Sequence, residues 1–570
     1  MSLPSLIAHS FRLTICFVAV LGIAATAASA EPPPLHVEID RQIDRRLTEL
    51  KIEPAALSDD AEFVRRVYLD LNGVIPTAAE ARAFLDDKTS DKREKLIDRL
   101  LARPDYALHM ARVFDVFLSE RRIPTITSYD VTTANWRSYL AEAFAENRPW
   151  NRMAEEILSA DGTDKRLEGA LKFYLVRDAE PHQLTRDVGR LFLGVDLQCA
   201  QCHDDPRVEE YHQADYYGIY AFLQRVKLHP TQPRGALVAE TAEGMTKFTS
   251  VFTAKSGETN PRIPGDEMIA DPKLEKGKEY VVKPGAKEPG IPTYSRRKKL
   301  AERLPRPETR GFARNIANRL WAQMLGRGIV HPVDLSHSDN PPSHPELLDR
   351  LSQWVVDHRF DLKGLLREIA LSKAYQRSSR LPNGVRELPD DAFAVAQLRG
   401  LTAEQLRWSI LQATGRLELQ LAQHDEQRAK NSVKTGGPTA TDWKTKVAAL
   451  EPLEKQSAAL ATAFAGLPGQ ADGSFQPVVD QALFLLNSPQ FSALTVVAPD
   501  SRFAELMKTD RSEALAEELY LAIFARRPSS EEVSEVRALS ASSSDPKARS
   551  QELESLLRGL LLSAEFRLNH

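Results

Sequence analysis

Apolar residues recur at every third or fourth position through most of this chain, and that period favours α-helix over β-strand. The spacing is clear in LIDRLLARPDY (residues 96–106), NWRSYLAEAFAENRPW (135–150) and RGFARNIANRLWAQMLGRGIV (310–330). A helix with one apolar stripe must bury that stripe against other elements. The sequence therefore predicts a mainly α protein whose core is built from packed helices.

Several helix starts are marked by short polar signals. Thr77 with Glu80, and Asp91 with Glu94, have the spacing of a capping box, in which the first side chain accepts a hydrogen bond from the third helical residue. Ser343 precedes a proline and an acidic residue and is predicted to cap a further helix. These signals predict three helix starts to within a residue or two.

The pattern changes between about 227 and 292. Glycine, proline and lysine become more frequent, and GMTKFTSVFTAKSG (244–257) alternates as a pair of strands would. With 570 residues, the chain is long enough for two or three domains. We therefore predict a multi-domain helical protein with a small β-containing insertion between two helical regions, divided as 31–226, 227–293 and 294–570.

The N-terminus has the features of a secretory signal peptide over residues 1–30. Arg12 precedes the apolar run LTICFVAVLGIAATA (13–27), and the small residues Ala28 and Ala30 form a cleavage site. Cys16 lies inside the run, without the small residue before it that a lipoprotein site needs. The run is short for a membrane span, although an uncleaved anchor is the alternative interpretation. We expect the mature protein to be exported to the periplasm or cell surface, with no membrane span after cleavage.

The overall charge argues against nucleic acid as a partner. Lysine and arginine total 75 against 79 acidic residues, which gives a formal net charge of -4. Nucleic-acid-binding domains are usually basic, because they neutralise phosphates.

The densest group of chemically active residues is Cys199-Ala-Gln-Cys202-His203. Cys-x-x-Cys-His is the short motif for covalent attachment of haem c. Two thiols about one turn apart can each add to a vinyl group of one porphyrin, and the next histidine can ligate the iron. The helical pattern of TRDVGRLFLGVDLQ (185–198) predicts a helix that ends at Cys199. On this interpretation haem c is the cofactor, and the function is electron transfer with an unidentified redox partner.

Other chemistry fits the same residues. A Cys199–Cys202 disulfide would form in an oxidising compartment and would suit a non-catalytic surface or envelope interaction protein. A zinc, iron or dithiol site is a further alternative, with His212 as a candidate second ligand. The other candidates for a distal haem ligand are His229, Met245 and Met268.

At these residues the chain resembles a known pair of domains. Its N-terminal half is similar to the planctomycete cytochrome-c-like domain of unknown function, and its C-terminal half resembles the companion domain of unknown function that usually follows it. The resemblance covers nearly the whole mature chain. It is carried by the segments VRRVYLDLNGVIPTAAEARAFL (64–85), RLFLGVDLQCAQCHDDP (190–206), FARNIANRLWAQMLGRGIVHPVDLSHSDNPPSHPELLDRL (312–351), FDLKGLLREIALSKAYQRSS (360–379) and LLSAEFRLNH (561–570).

The resemblance places the family's cysteine pair on Cys199 and Cys202 and its following histidine on His203. Two positions depart from the family pattern. A second histidine is common where this chain has Asp205, and an aromatic residue is common where it has Arg207. If the second histidine is an essential ligand, this chain is either impaired or uses another group, such as His212.

A third class of function is suggested by three short motifs in the C-terminal half. Ser295-x-x-Lys298, Ser338-Asp339-Asn340 and Lys434-Thr435-Gly436 follow the order found in serine β-lactamases and penicillin-binding proteins. The context argues against a hydrolase, because Ser295 opens the basic stretch RRKKLAER rather than an apolar helix. The basic residues from 296 to 319 could bind an anionic polymer, but we expect them to form a solvated helix face.

Overall fold

The computed structural model describes residues 33–124, 133–231, 235–285, 288–435, 442–469, 478–496, 502–507, 511–541 and 545–570. The predicted signal peptide, residues 1–30, lies outside these ranges. The α-helices are α1 (Leu35–Leu50), α2 (Asp60–Asn72), α3 (Ala78–Asp86), α4 (Lys92–Leu101), α5 (Pro104–Ser119), α6 (Thr133–Ala145), α7 (Trp150–Ser159), α8 (Lys172–Leu175), α9 (Pro181–Val188), α10 (Gln213–Leu223), α11 (Arg296–Arg303), α12 (Arg310–Leu325), α13 (Pro345–Asp357), α14 (Leu362–Leu371), α15 (Lys373–Gln376), α16 (Ala403–Ala413), α17 (Arg416–Thr435), α18 (Trp443–Gln456), α19 (Ala458–Phe464), α20 (Val479–Asn487), α21 (Pro489–Leu494), α22 (Arg502–Met507), α23 (Ser512–Phe524), α24 (Ser530–Ala541), α25 (Pro546–Leu562) and α26 (Ala564–Arg567).

The strands are short and form antiparallel pairs. They are β1 (Val226–Thr231) with β2 (Gly235–Glu240), β3 (Thr246–Thr249) with β4 (Ser256–Thr259), β5 (Tyr280–Val282) with β6 (Ile291–Pro292), and β7 (Arg399–Gly400) with β8 (Leu568–Asn569). Six of these strands fall between the two helical regions. The prediction of a mainly α protein with a small β-containing region is confirmed.

Helices begin at all three positions that the capping signals predicted, but only one of the predicted caps forms as expected. Thr77 and Glu80 form the reciprocal capping box at the start of α3, as predicted. Asp91 stands at the start of α4, but its side chain makes no capping hydrogen bond. At α13 the capping residue is His344, one position after the predicted Ser343, because Pro345 takes the first helical position.

One hydrophobic core runs through both helical regions. Trp150 of α7 lies parallel to Phe192, at 5.8 Å between ring centroids, and to Phe312 of α12, also at 5.8 Å. All three rings are buried. Helices before and after the β-containing region therefore share one core.

Two buried arginines of α2 donate hydrogen bonds to backbone carbonyls of segments far along the chain. Arg65 donates hydrogen bonds to the carbonyl oxygens of Ile523 (2.9 Å) and Phe566 (2.6 Å). Arg66 donates to the carbonyls of Tyr375 (2.6 Å) and Arg377 (2.8 Å). Buried N–H groups need such acceptors, so α2 requires the C-terminal segments to be in place.

Gly73 ends α2 in the left-handed conformation, with φ of 70°. A Cβ at this position would overlap the imidazole ring of His109 on α5. The position therefore requires glycine for two reasons, its backbone conformation and the close approach of α5.

None of the helices in the described ranges combines the length and apolar character that a membrane crossing needs.

Candidate functional site

The cysteine motif lies in a short turn rather than at the end of a helix. The helical segment that precedes it ends at Leu193, and Gly194 follows with φ of 73°. Cys199–Gln201 then form a separate 3-10 turn. The prediction that the helix continues to Cys199 is wrong, because a glycine in the left-handed conformation ends it five residues earlier. After the motif, helical structure resumes with α10.

The helix before the motif is anchored by a buried ion cluster. Asp187 of α9 accepts hydrogen bonds from Arg177 Nε (2.6 Å), Arg190 Nη2 (3.0 Å) and Arg122 Nη1. Burial opposes ionisation of Asp187, but the three guanidinium groups outweigh it and lower the pKa of the carboxyl. Arg190 also donates to Asp334 (2.9 Å), which links the cluster to the chain after α12.

Both cysteines of the motif are exposed and present as free thiols. The backbone N–H of Cys202 donates to the carbonyl oxygen of Cys199 (3.2 Å), which closes the turn. Partial burial and the carboxylates of Asp205 and Asp196 raise the pKa of the Cys199 thiol. Reactive cysteines are found in electropositive surroundings, so this environment disfavours the thiolate that dithiol chemistry needs.

Asp205, which stands where the family often has a second histidine, has a structural role here. Its carboxylate accepts hydrogen bonds from the backbone N–H of Arg207 (2.9 Å) and of Val208 (3.1 Å). Burial acts against ionisation, but these two hydrogen bonds and one from the Cys199 thiol lower the pKa of Asp205. The substitution therefore places a carboxylate, instead of an imidazole, next to Cys199.

His203 is half-buried, and its ring orientation is fixed from two sides. Nδ1 lies 2.7 Å from the carbonyl oxygen of Asp204. A carbonyl only accepts hydrogen bonds, so Nδ1 carries the proton in the neutral ring and Nε2 is the nitrogen with a lone pair. The ring of Phe252 stacks on the imidazole, at 4.3 Å between centroids.

The hairpin of β3 and β4 places its tip beside the motif. The backbone N–H of Val251 donates to the carbonyl oxygen of Cys202 (3.0 Å). Val251 and Phe252 are 67% and 74% exposed, which is unusual for two adjacent apolar residues. Neither residue was predictable from sequence as part of the site, because nothing local to the hairpin indicates which surface its tip will meet.

Of the candidate distal ligands, His212 lies beside the motif, whereas the others lie on or near β1, β3 and β4. His212, 55% exposed, lies at the start of α10, with Nδ1 4.0 Å from Asp204 Oδ1. Met245 directly precedes β3, and the Met268 sulfur accepts a hydrogen bond from Thr259 at 3.8 Å. Thr246 pairs with Thr259 at the end of the hairpin away from its tip, so both methionines lie roughly 10 Å or more along the strands from the residues nearest Cys202. His229 lies on β1, in the other hairpin.

Within the ranges that the structure describes, no group of three or more His, Cys, Asp or Glu side chains is arranged to hold a metal ion.

The hydrolase motifs have other roles where they are described. Ser295 caps α11 by accepting a hydrogen bond from the backbone N–H of Lys298 (3.0 Å), and it donates to Glu240. Ser338 donates to Glu210 (2.7 Å). The side chains of Lys434 to Gly436 lie outside the described part of the chain.

The basic stretch after Ser295 is not a solvated face throughout. Arg296 and Arg297 are buried. Arg296 makes an ion pair with Asp271 (2.9 Å), and Arg297 donates to the carbonyl oxygens of Leu158 (3.0 Å) and Ala160 (3.1 Å). The prediction of a solvated face is wrong for these two residues, which join α11 to the N-terminal helices.

These features define a mainly helical protein with an open Cys-x-x-Cys-His turn on its surface, next to an exposed apolar hairpin tip. Residues 38–228 match the family PSCyt2, a protein of unknown function (DUF1549), and residues 296–540 match PSD1, a protein of unknown function (DUF1553). The chain therefore carries a PSCyt2 domain followed by a PSD1 domain, which is the usual pairing of the two and is what the sequence resemblance predicted. No curated protein and no solved structure is detectably similar to it.

Proposed function

We propose that this is an exported haem c protein that transfers electrons. Cys199 and Cys202 would hold the porphyrin through thioether bonds, and His203 would be the axial ligand of the iron. Haem held in this way cycles between ferric and ferrous iron and supplies one-electron transfer. The partner would be a redox protein of the same compartment, outside the cytoplasm. The observation that carries the proposal is that both thiols and a histidine with an available Nε2 lie in one exposed turn.

The tautomer of His203 supports the axial role. Histidines that bind metals usually donate their other ring N–H to a carbonyl or carboxylate, which fixes the ring and makes it a better ligand. The hydrogen bond from Nδ1 to the Asp204 carbonyl is of this kind. It holds the imidazole ready to bind a metal through Nε2.

The surroundings of the turn also suit a porphyrin. Val251 and Phe252 present apolar surface directly beside Cys202 and His203. A bound porphyrin would cover this surface and remove it from water, which is favourable by about 25 cal/mol for each Å² buried. A dithiol enzyme would need no such surface, and the raised pKa of Cys199 argues against one.

The test is the absorption spectrum of the full chain, expressed with the machinery that attaches haem c. We expect a Soret band, sharp α and β bands after reduction with dithionite, and haem that stays with the chain on a denaturing gel. The double variant Cys199→Ala/Cys202→Ala should lose all three. A featureless spectrum from folded protein overturns the proposal.

Histidine variants separate the ligands from the attachment sites. His203→Ala should keep covalent haem but lose the normal axial coordination, which shifts the Soret band. His212→Ala tests the second ligand in the same way. His358→Ala is a matched control, because this histidine stacks on Trp354 of α13 and is not part of the turn.

A non-catalytic interaction protein with a Cys199–Cys202 disulfide is the second candidate. It is favoured by the dispersion of the methionines, which leaves the turn without a nearby thioether ligand. In this case the protein is colourless, and two thiols become available to a thiol reagent only after reduction.

A further inference from the structure

Two arginines from different domains share one indole ring. Arg112 of α5 lies within the PSCyt2 match, and Arg407 of α16 lies within the PSD1 match. The Cζ of Arg112 is 4.5 Å from the ring centroid of Trp408, and the Cζ of Arg407 is 4.8 Å from it. Two positive charges are therefore held close together at the boundary between the domains.

Both arginines share one carboxylate, and it lies too far from each of them for a good hydrogen bond. Glu454 Oε1 of α18 lies 3.6 Å from Arg112 Nη2 and 3.5 Å from Arg407 Nη2. These are ion-pair distances, but they are longer than a good charge-assisted hydrogen bond. One negative charge thus faces two positive charges.

The neighbouring carboxylates are already occupied. Asp115 accepts hydrogen bonds from Arg137 (2.8 Å) and Lys172 (3.2 Å). Glu404 accepts two hydrogen bonds from Arg121 (2.8 and 3.1 Å). The charge of Glu404 does act on both arginines, but Arg137 adds a further positive charge beside them, so positive charge stays in excess around Trp408.

Arg407 has hydrogen-bonding capacity that the protein does not use. Its side chain is only 6% exposed, yet both Nε and Nη2 are buried without a hydrogen-bond partner. Burial lowers the pKa of Arg407, and it lowers that of Arg112 to about 10. Buried guanidinium groups are normally paired, because an unpaired buried charge is strongly unfavourable.

We propose that Arg112 and Arg407 bind a small oxyanion, such as phosphate, sulfate or a carboxylate, at the boundary between the two domains. Guanidinium groups match the paired oxygens of such anions. The ligand would supply acceptors for Arg407 Nε and Nη2 and would neutralise the second positive charge.

The carboxylate of Glu454 would compete with a bound anion for the two arginines. Its side chain is 34% exposed, so it lies at the solvent edge of the pair and can swing outward when an anion enters. The residues of this site lie on α5 of one domain and on α16 and α18 of the other. A bound anion would therefore strengthen the contact between the two domains. Anion binding at this site does not require haem at Cys199.

The test is calorimetric titration of the full chain with inorganic phosphate, sulfate or acetate, at an ionic strength held constant with sodium chloride. We expect saturable binding of at least one anion, and a comparison of the three distinguishes tetrahedral anions from carboxylates. Arg407→Met should weaken that binding by about tenfold or more, since it removes the unpartnered N–H donors. Glu454→Gln should strengthen it several-fold, because it removes the competing charge.

Arg416→Met is the matched control, because this arginine donates only to backbone carbonyls in the contacts described for it, those of Ala493 (2.7 Å) and Val496 (3.2 Å). It should leave anion binding unchanged. If Arg407→Met does not fold, Glu454→Gln still decides the question, since it changes a partly exposed side chain. The proposal is overturned if no anion binds saturably, or if Glu454→Gln binds the anion no more tightly than the wild type.

Discussion

Replacing Asp187 with asparagine tests whether the ion cluster before the motif stabilises the fold by charge. Asparagine has nearly the same shape and keeps one oxygen acceptor, so the change removes mainly the negative charge. Asp187 is 3% exposed, and three guanidinium groups point at it. One of them, on Arg177, is fully buried and would lose its anionic partner.

The expected size follows from this burial. A hydrogen bond to a charged group contributes about 1.5–3 kcal/mol, and breaking a buried ion pair by removing one partner costs about 3–5 kcal/mol. We therefore expect Asp187→Asn to lower the free energy of unfolding by about 3–5 kcal/mol near neutral pH. The matched control is Asp349→Asn. Asp349 also pairs with two arginines, Arg310 and Arg314, but its side chain is 49% exposed, so the loss should be about 0–1 kcal/mol.

The pH dependence of this difference in unfolding free energy gives a second check, because the pKa of Asp187 determines its direction. The pKa of Asp187 is lowered in the folded protein, so its charge stabilises the fold above the unfolded value of about 3.9, and the stabilisation is lost as the pH falls through the folded pKa. The difference between wild type and variant should shrink as the solution becomes that acidic.

The assay is urea unfolding of the full chain, followed by tryptophan fluorescence and circular dichroism at several pH values. A loss of less than about 1 kcal/mol near neutral pH, equal to that of the exposed control, would refute the reasoning. So would a difference that persists unchanged in acid.

Three further predictions test single features of the structure. Asp205→Asn should speed alkylation of Cys199 near pH 8, since it removes a charge that raises the pKa of the thiol. Peptide mass spectrometry measures the rate of alkylation, and an unchanged rate would show that the carboxylate does not act on the thiol. Gly73→Ala should lower the free energy of unfolding in urea by about 2–4 kcal/mol, and Gly384→Ala should lower it by about 1 kcal/mol. Both glycines have positive φ, but a new Cβ would meet other atoms only at Gly73, so equal losses would contradict this explanation. Ser295→Ala should lower the free energy of unfolding by about 1 kcal/mol, because the variant loses a helix cap. Neither the wild type nor the variant should be labelled by a β-lactam probe, and a label that only the wild type carries would identify Ser295 as a nucleophile instead.

The parts of the fold that were predictable from sequence depend on neighbours along the chain. The capping box of Thr77 and Glu80 joins residues three apart, and the apolar period of a helix is read over one or two turns. The errors are also local: the helix that was predicted to reach Cys199 ends at Leu193, before Gly194, and the cap of α13 lies one residue later than Ser343. In both cases a single glycine or proline overrode the longer pattern.

The sequence by itself determined the mainly helical class, the place of the small β-containing region, the family, and the grouping of two cysteines and a histidine within five residues. Each of these depends on composition, period or short spacing, which the chain carries before it folds. Only the tertiary structure brought Phe252 onto His203, buried Arg297 against the carbonyls of α7, and placed Arg407 beside Arg112. The helical period shows which residues a helix will bury but not which partner surface will cover them, because that choice is made by packing between segments far apart in the chain.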